Sequence, residues 1–220
     1  MATLLGRPYY NITRALRQMD VRYESMSPSE AASSPARVII TTEPEARLIA
    51  ENKDAKGGRN GSAWDGVFIL DTELEQDELA VSKARILRGI AGTHAYYFND
   101  QLTIGVDPGS RIGISVIYLH QEIASWVSSS TVDAINEVSV MVEGIDSKKK
   151  VLRIGDGDMQ MARRIALNLK QRFGHNIHIE IVDEHGTSLP QNIDANRRGM
   201  RDRSSARNIA FRTGETFASY

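Results

Sequence analysis

The segment that most constrains the fold is residues 102–116, which read LTIGVDPGSRIGISV. Aliphatic residues alternate on both sides of the dipeptide Pro108-Gly109, as expected for two strands joined by a tight turn. Pro108 and Gly109 suit the two central positions of a type II turn. The pattern predicts a β-hairpin whose first strand ends at Asp107. Two paired strands would hold this carboxylate rigidly, as metal or phosphate chemistry requires, although an Asp before Pro-Gly can also simply cap the turn.

Composition narrows the class of protein. The chain has 220 residues, 41% hydrophobic and 25% charged, which suits one or two folded domains. No apolar run approaches the roughly 18 to 20 residues of a membrane helix, and the first residues resemble neither a signal peptide nor a lipid anchor. We therefore expect a soluble, cytoplasmic protein that makes no membrane contact. The chain has no cysteine, so any metal must be held by oxygen or imidazole.

Residues 1–98 are predicted to form a smaller α/β domain of unknown role, because strand and helix patterns alternate as in a parallel sheet. The predicted helices cover 12–19, 44–51 and 79–90, the predicted strands cover 21–26, 37–41 and 67–70, and SPSEAASSP at 27–35 is predicted to be a loop. No phosphate-binding loop, catalytic triad or metal-ligand cluster is recognised in this part of the sequence.

Residues 99–220 are predicted to form a second α/β domain with a mixed sheet. Three strands come first, at 102–107, 112–120 and 123–128, and then helices at 132–144, 159–173 and 202–212 alternate with strands at 151–154 and 177–182. The first three strands would pair antiparallel and the later ones parallel. This order would place the ends of the first, fourth and fifth strands at one edge of the sheet.

Acidic residues follow each of these strand ends or begin the last helix. They are Asp107, Asp156, Asp158, Asp183, Glu184 and Asp202. Three or four such carboxylates can hold two hard cations about 3.5 to 4 Å apart, which activate water against a phosphodiester. Carboxylates that close together repel one another without a metal. The sequence therefore predicts two divalent cations, Mg²⁺ or Mn²⁺, at this edge.

Three passages of this half resemble one known family. VDPGSRIGIS, IVDEHGTS and DRSSARNIAF, in this order and spacing, are similar to motifs of the ribonuclease H-like fold in its RuvC and YqgF branches, which include Holliday junction resolvases. The resemblance covers roughly half of the protein. It implies a ribonuclease H-like arrangement of the sheet, with Asp107, Glu184 and Asp202 as catalytic, metal-binding acids.

Two departures from the family pattern leave the second metal ligand open. Asp156 follows the fourth strand where the RuvC branch has its second acid, whereas the VDEH motif favours Glu184. His185 stands where the YqgF branch usually has arginine. An imidazole titrates near neutral pH, so His185 could act as an acid or base if it faces the metals.

The C-terminal end is rich in arginine, which suits bidentate contacts to phosphate. The arginines are Arg197, Arg198, Arg201, Arg203, Arg207 and Arg212. A solvated helix face is the alternative interpretation of this cluster. The formal net charge of the chain is only −1, which limits how far a nucleic-acid grip could extend.

These observations favour a metal-dependent nuclease that hydrolyses phosphodiester bonds of structured DNA or RNA, as a Holliday junction resolvase does. A branched substrate would also favour a homodimer. The first alternative is a non-catalytic nucleic-acid-binding or assembly protein that retains the fold. The second is a phosphotransferase, which the size of the chain disfavours because such proteins need two lobes with an acid-turn-hairpin, and residues 1–98 contain none.

Overall fold

The structure, a computed structural model, describes residues 1–57, 66–92, 100–184 and 198–218. The chain divides into two compact units, Met1–Ala95 and Tyr96–Tyr220. Both units are α/β, as the sequence predicts. Within the described ranges no helix is both long enough and apolar enough to cross a membrane.

The first unit is built on a pair of short parallel strands. Its described elements are α1 (Gly6–Gln18), α2 (Pro28–Ser33), β1 (Val38–Thr41), α3 (Glu43–Gly57), β2 (Val67–Leu70), α4 (Asp71–Gln76) and α5 (Leu79–Ala91). β1 and β2 pair in parallel, which confirms the predicted parallel arrangement. Ile12 and Leu16 of α1 pack with Ile40, Ile69 and Ile86 in one core, as expected for an amphipathic helix on a strand pair.

Two local predictions in this unit are wrong. Residues 27–35 contain a helix because Ser27 and Glu30 form a capping box and Pro28 occupies the first turn. Residues 21–26 are not a strand. The amide of Ala2 donates to the carbonyl of Ile40, so the beginning of the chain lies beside β1. The 21–26 segment contacts the beginning of the chain through the isolated bridge between Met26 and Ala2 and a hydrogen bond from the Met1 amine to the Glu24 carbonyl.

The second unit contains a six-stranded mixed sheet. Its described elements are β3 (Gln101–Asp107), β4 (Ile112–Tyr118), β5 (Gln121–Ser128), α6 (Thr131–Gly144), β6 (Lys149–Gly155), α7 (Met159–Phe173), a 3₁₀ turn (Gly174–Asn176), β7 (His178–Val182), α8 (Arg198–Phe211) and β8 (Glu215–Thr216). The strand order is β5-β4-β3-β6-β7-β8. β3, β6 and β7 are mutually parallel, whereas β4 is antiparallel to both its neighbours and β8 is antiparallel to β7. The predicted mixed sheet is confirmed.

The β3–β4 hairpin forms where the sequence predicts it, but its turn differs. Asp107 ends β3 and lies opposite Gly113 of β4. Gly109 does not adopt a left-handed φ, which the third position of a type II turn requires. The type II prediction is therefore wrong, and the longer connection 108–111 joins the two strands.

Two glycines let α8 lie directly against the sheet. A Cβ at Gly105 of β3 would be 2.0 Å from the carbonyl oxygen of Ala206, and one at Gly113 of β4 would be 2.1 Å from that of Asp202. No side chain fits at those distances, so the α8 backbone needs glycine at both strand positions. Because Gly113 pairs with Asp107, this contact brings the α8 residue Asp202 next to the end of β3.

A buried ion pair fixes the other end of α8. Arg153 of β6 donates through Nε to Glu180 of β7 at 2.8 Å and through Nη1 to the carbonyl of Ala210 at 2.7 Å. Both side chains are nearly buried, at 12% and 11% exposed. Burial raises the pKa of Glu180, but the hydrogen bond from Arg153 and that from the Gly214 amide more than offset it, so the pKa is lowered. The pair therefore anchors α8 across β6 and β7.

Candidate acidic site at the sheet edge

Three carboxylates lie at the carboxyl edge of the mixed sheet. Asp107 is the last residue of β3, Glu184 follows β7, and Asp202 lies on α8. β3 and β7 run in the same direction on either side of β6, so their ends meet at one edge. All three residues are half-buried. The fold thus gathers acids that are far apart in the sequence.

The carboxylates of Glu184 and Asp202 are close enough to perturb Asp107. Burial, and then the negative charges of Glu184 and Asp202, raise the pKa of Asp107 from 3.8 to about 7, although a hydrogen bond with Ser205 opposes the shift. Carboxylates that share a site without a cation cannot all ionise easily. Asp107 consequently holds a proton more tightly than a solvated aspartate does.

Glu184 is held in place by the turn that follows β6. Its Oε1 accepts a hydrogen bond from the Gly157 amide at 3.1 Å. A Cβ at Gly155 would lie only 1.8 Å from that Oε1 atom, so the carboxylate occupies space that glycine leaves open. Burial raises the pKa of Glu184, the Gly157 hydrogen bond lowers it, and the charge of Asp156 raises it further.

Asp156 lies beside Glu184 and supports its backbone. Its Oδ1 accepts the Glu184 amide at 3.0 Å, while its own amide donates to the carbonyl of Val182 at 3.1 Å. The charge effects on Asp107 come from Glu184 and Asp202. Of the two residues that the sequence left open as second ligand, Glu184 is thus the one whose charge acts on Asp107, whereas the Asp156 carboxylate accepts a hydrogen bond from the Glu184 backbone.

Of the other two acids of the predicted set, one caps a helix and the other is exposed. Asp158 is the N-cap of α7, with Oδ1 accepting the Met161 amide at 2.9 Å, as the sequence suggests. Asp183 is exposed, and its carbonyl accepts a hydrogen bond from Arg212 at 3.3 Å.

Arg111 is a neighbour of the site that the sequence analysis did not single out. Its Nε lies 3.8 Å from Oδ2 of Asp202, and its side chain is 53% exposed. It comes from the connection after Asp107, so its position just beyond the acid in DPGSR was the available signal. Ser205, the hydrogen-bond partner of Asp107, was also missed, and its signal was the spacing of one helical turn from Asp202.

The predicted phosphate-binding arginines are only partly described. Arg201 is half-buried, whereas Arg203 and Arg207 are exposed on α8. Arg203 donates to the carbonyl of Gly199 at 3.2 Å, and Arg207 lies 3.8 Å from Glu122. His185 and Arg197, together with the side chain of Arg198, lie outside the described residues.

The donor chemistry at this edge fits a hard divalent cation. Carboxylate oxygens are the ligands that Mg²⁺ and Mn²⁺ prefer, and burial together with the charges of Glu184 and Asp202 raises the pKa of Asp107. The positions of the side chains, however, do not form a complete metal site among the described residues. Among the described residues, no group of three or more histidines and acids has the arrangement needed to hold a metal ion.

The chain matches no protein-family model, and it matches no curated protein.

Proposed function

We propose that the protein is a metal-dependent nuclease that hydrolyses phosphodiester bonds in structured nucleic acid, in the manner of a Holliday junction resolvase. The observation that carries this proposal is the convergence of Asp107, Glu184 and Asp202 at one sheet edge, where burial and then the charges of Glu184 and Asp202 raise the pKa of Asp107. A carboxylate cluster of this kind is costly without a cation and useful with one.

The topology supports a ribonuclease H-like interpretation of the second unit. The order β5-β4-β3-β6-β7, with β4 antiparallel and the next two strands parallel, agrees with the arrangement that the three sequence motifs imply. α8 packs on β3 and β4 and brings the acid of the third motif to the edge that carries the acid of the first.

The four carboxylates would then have two different roles. Asp107, Glu184 and Asp202 would hold Mg²⁺ or Mn²⁺, and Asp156 would position Glu184 by accepting its amide. Bound divalent ions supply an activated water and stabilise the leaving oxygen of a phosphodiester. Because the pKa of Asp107 is raised to about 7, deprotonation of this carboxyl would accompany metal loading.

Exposed arginines beside the acids would contact the substrate. Arg111 approaches Asp202 from the hairpin, and Arg203 is exposed on α8. Guanidinium groups that bind phosphates fix the position of a nucleic acid without reading its sequence. Selectivity would therefore rest on the shape of the substrate, and a branched, twofold substrate would favour a homodimer.

A non-catalytic nucleic-acid-binding protein is the second candidate. The observation that favours it is the incomplete arrangement of metal ligands among the described residues. A protein of this class would bind through the same arginines and would leave the phosphodiester bonds intact.

The test is a cleavage assay on labelled four-way junction, duplex and single-stranded DNA and RNA, with Mg²⁺, Mn²⁺ or EDTA. Asp107→Asn and Asp202→Asn are the informative variants. Glu215→Gln is the matched control, because it neutralises an exposed carboxylate of the same unit. We expect metal-dependent cleavage by the wild type and the control, with a loss of at least about 100-fold in both site variants.

The outcomes separate the two candidates. Salt-sensitive binding without cleavage under any metal would contradict the nuclease proposal and favour the binding protein. Cleavage that persists in both aspartate variants would exclude the acidic edge as the active site.

A further inference from the structure

The helix α7 presents an exposed face that contains no acid. Its sequence, MQMARRIALNLKQRF, has four basic residues and neither aspartate nor glutamate. The buried side of the helix is apolar, as expected for a helix that packs on a sheet. We call the exposed side chains the outer face of α7. They are Met159, Gln160, Arg163, Arg164, Leu167, Asn168, Gln171 and Arg172.

Two arginines of the outer face have guanidinium groups without a partner. Arg163 and Arg164 are exposed, and neither side chain forms an ion pair or a hydrogen bond within the described part of the chain. Asn168 donates only to the backbone carbonyl of Arg164, at 2.8 Å. Arg172 differs, because it donates to Glu143 at 2.8 Å. Arg163 and Arg164 therefore keep all their donors available for a partner.

The acids around α7 do not pair with these two arginines. Asp158 caps the helix and lies five and six residues before them, whereas side chains on one helix face are three or four residues apart. The neighbouring helix α6 carries three acids. Glu143 binds Arg172, while Asp133 and Glu137 accept hydrogen bonds from neutral donors. No direct ion pair therefore neutralises the two arginines.

The helix α7 begins at the acidic edge of the sheet. Its N-cap, Asp158, directly follows Gly157, whose amide donates to Glu184 at 3.1 Å. At 1.5 Å of rise per residue, Arg163 and Arg164 lie about 7.5 and 9 Å along the helix from this N-cap. One strand of a DNA duplex carries a phosphate about every 3.4 Å along the axis. The interval between the acidic edge and the arginines thus corresponds to two or three phosphates.

We propose that the outer face of α7 binds the phosphate backbone of nucleic acid through Arg163 and Arg164, next to the acidic edge. The choice of nucleic acid as the partner rests on the proposed function. Carboxylates at the edge repel phosphate, so cations close to them help to hold a substrate there. Guanidinium groups bind phosphate oxygens in a bidentate manner. The acid-free face of α7 suits this partner better than α6 with its three acids.

The test is fluorescence anisotropy of the full chain with labelled duplex DNA, duplex RNA and four-way junction DNA over a series of KCl concentrations. Ca²⁺ replaces Mg²⁺ as a hard cation that carboxylates bind, and a gel verifies that the nucleic acid stays intact. Arg163→Gln combined with Arg164→Gln removes both guanidinium groups. The matched control is Lys148→Gln combined with Lys149→Gln, because these exposed lysines of the same unit lie at the opposite end of β6. Circular dichroism verifies that each variant is folded.

We expect the arginine variant to bind duplex DNA with a shallower dependence of log Kd on log salt. The slope should fall by about 1.8, since each phosphate contact contributes about 0.9. Kd should rise about tenfold or more at low salt, equally for different DNA sequences. Arg163→Lys combined with Arg164→Lys should keep the slope, because it retains both charges. The lysine control should behave like the wild type.

Three results would overturn the proposal. The first is the absence of binding to any of the nucleic acids, and the second is an arginine variant whose salt slope equals that of the wild type or of the lysine control. The third is labelled poly-L-glutamate that binds through these arginines while nucleic acid does not, which would assign the face to an acidic protein. Since the assay measures binding and not cleavage, an inactive protein that binds through α7 would refute only the proposed nuclease activity.

Discussion

Replacing Asp107 with asparagine should stabilise the second unit at high pH but not at low pH. The pKa of this carboxyl is raised from 3.8 to about 7 in the folded protein. Between these values the folded state keeps a proton that the unfolded state releases, so the free energy of unfolding falls as the pH rises through this window. Below it the carboxyl is neutral in both states, and Asp107→Asn changes little.

The size of the effect follows from the pKa. At about 1.36 kcal/mol for each tenfold change in proton affinity, the full electrostatic penalty on the ionised carboxylate is roughly 4 kcal/mol. Asp107 is only half-buried, and solvent screening reduces such penalties. We therefore expect Asp107→Asn to raise the free energy of unfolding by about 1 to 2 kcal/mol at pH 8.

Urea denaturation at pH 3 and pH 8 measures this difference. Trp126 lies in the second unit and donates to Glu137 at 2.7 Å, so its fluorescence reports that unit when Trp64→Phe removes the other tryptophan. Glu215→Gln is the control and should change neither curve. Equal stability of Asp107→Asn and the parent at pH 8 would refute the argument that the carboxylates repel one another.

Magnesium provides the second arm of the same experiment. At pH 8 a cation that binds the folded site stabilises it in proportion to the logarithm of the free concentration above Kd. We expect Mg²⁺ to stabilise the parent protein and to stabilise Asp107→Asn much less. If Mg²⁺ stabilises both proteins equally, it binds somewhere other than the acidic edge.

Three further substitutions test the supports of the site. Gly113→Ala should destabilise the protein by about 1 to 3 kcal/mol through overpacking against α8. Gly109→Ala is the control and should be nearly neutral, because its Cβ would lie 3.5 Å from the nearest atom. Thermal denaturation compares the two variants. Arg153→Ala should cost about 3 to 5 kcal/mol at pH 7 by removing the ion-pair partner of the nearly buried Glu180 carboxylate, and the cost should shrink as the pH falls and this carboxylate is protonated. Asp156→Asn should lower the pKa of Glu184, because it removes a neighbouring negative charge, and a carboxyl NMR titration measures this.

The accuracy of the sequence predictions depended on how local the signal was. The helix predicted at 159–173 and the strand predicted at 67–70 have the same limits in the structure, since apolar periodicity and flanking turns define such elements within the segment itself. The helix Pro28–Ser33 was missed although Ser27 and Glu30 provide a capping box, because its six residues are too few to show a period. Which segment lies beside β1 depends on distant residues, so residues 21–26 were predicted wrongly.

The same distinction between local signals and contacts of distant residues applies to the candidate site. Strand direction alone predicts that acids after parallel strands lie at one edge, and this is where Asp107 and Glu184 are found. The positions of Asp156 and Glu184 relative to Asp107 depend on the turn after β6. The Gly157 amide of this turn donates to the Glu184 carboxylate, and the Glu184 amide donates to the Asp156 carboxylate. Both residues were reasonable candidates from the sequence, since no periodic pattern determines the path of a turn.

The position of α8 is determined by two glycines of the sheet, Gly105 and Gly113, rather than by the acids. Gly105 and Gly113 project to the same face because Gly113 pairs with Asp107, two residues beyond Gly105. A helix with small residues can therefore approach both strands, and Ala206 packs where a larger side chain would hold the helix away. Asp202 precedes Ala206 by four residues, one turn of α8, so the same contact carries it to the end of β3. The spacing of the glycines and the spacing of the small residues on α8 together account for the meeting of Asp107 and Asp202.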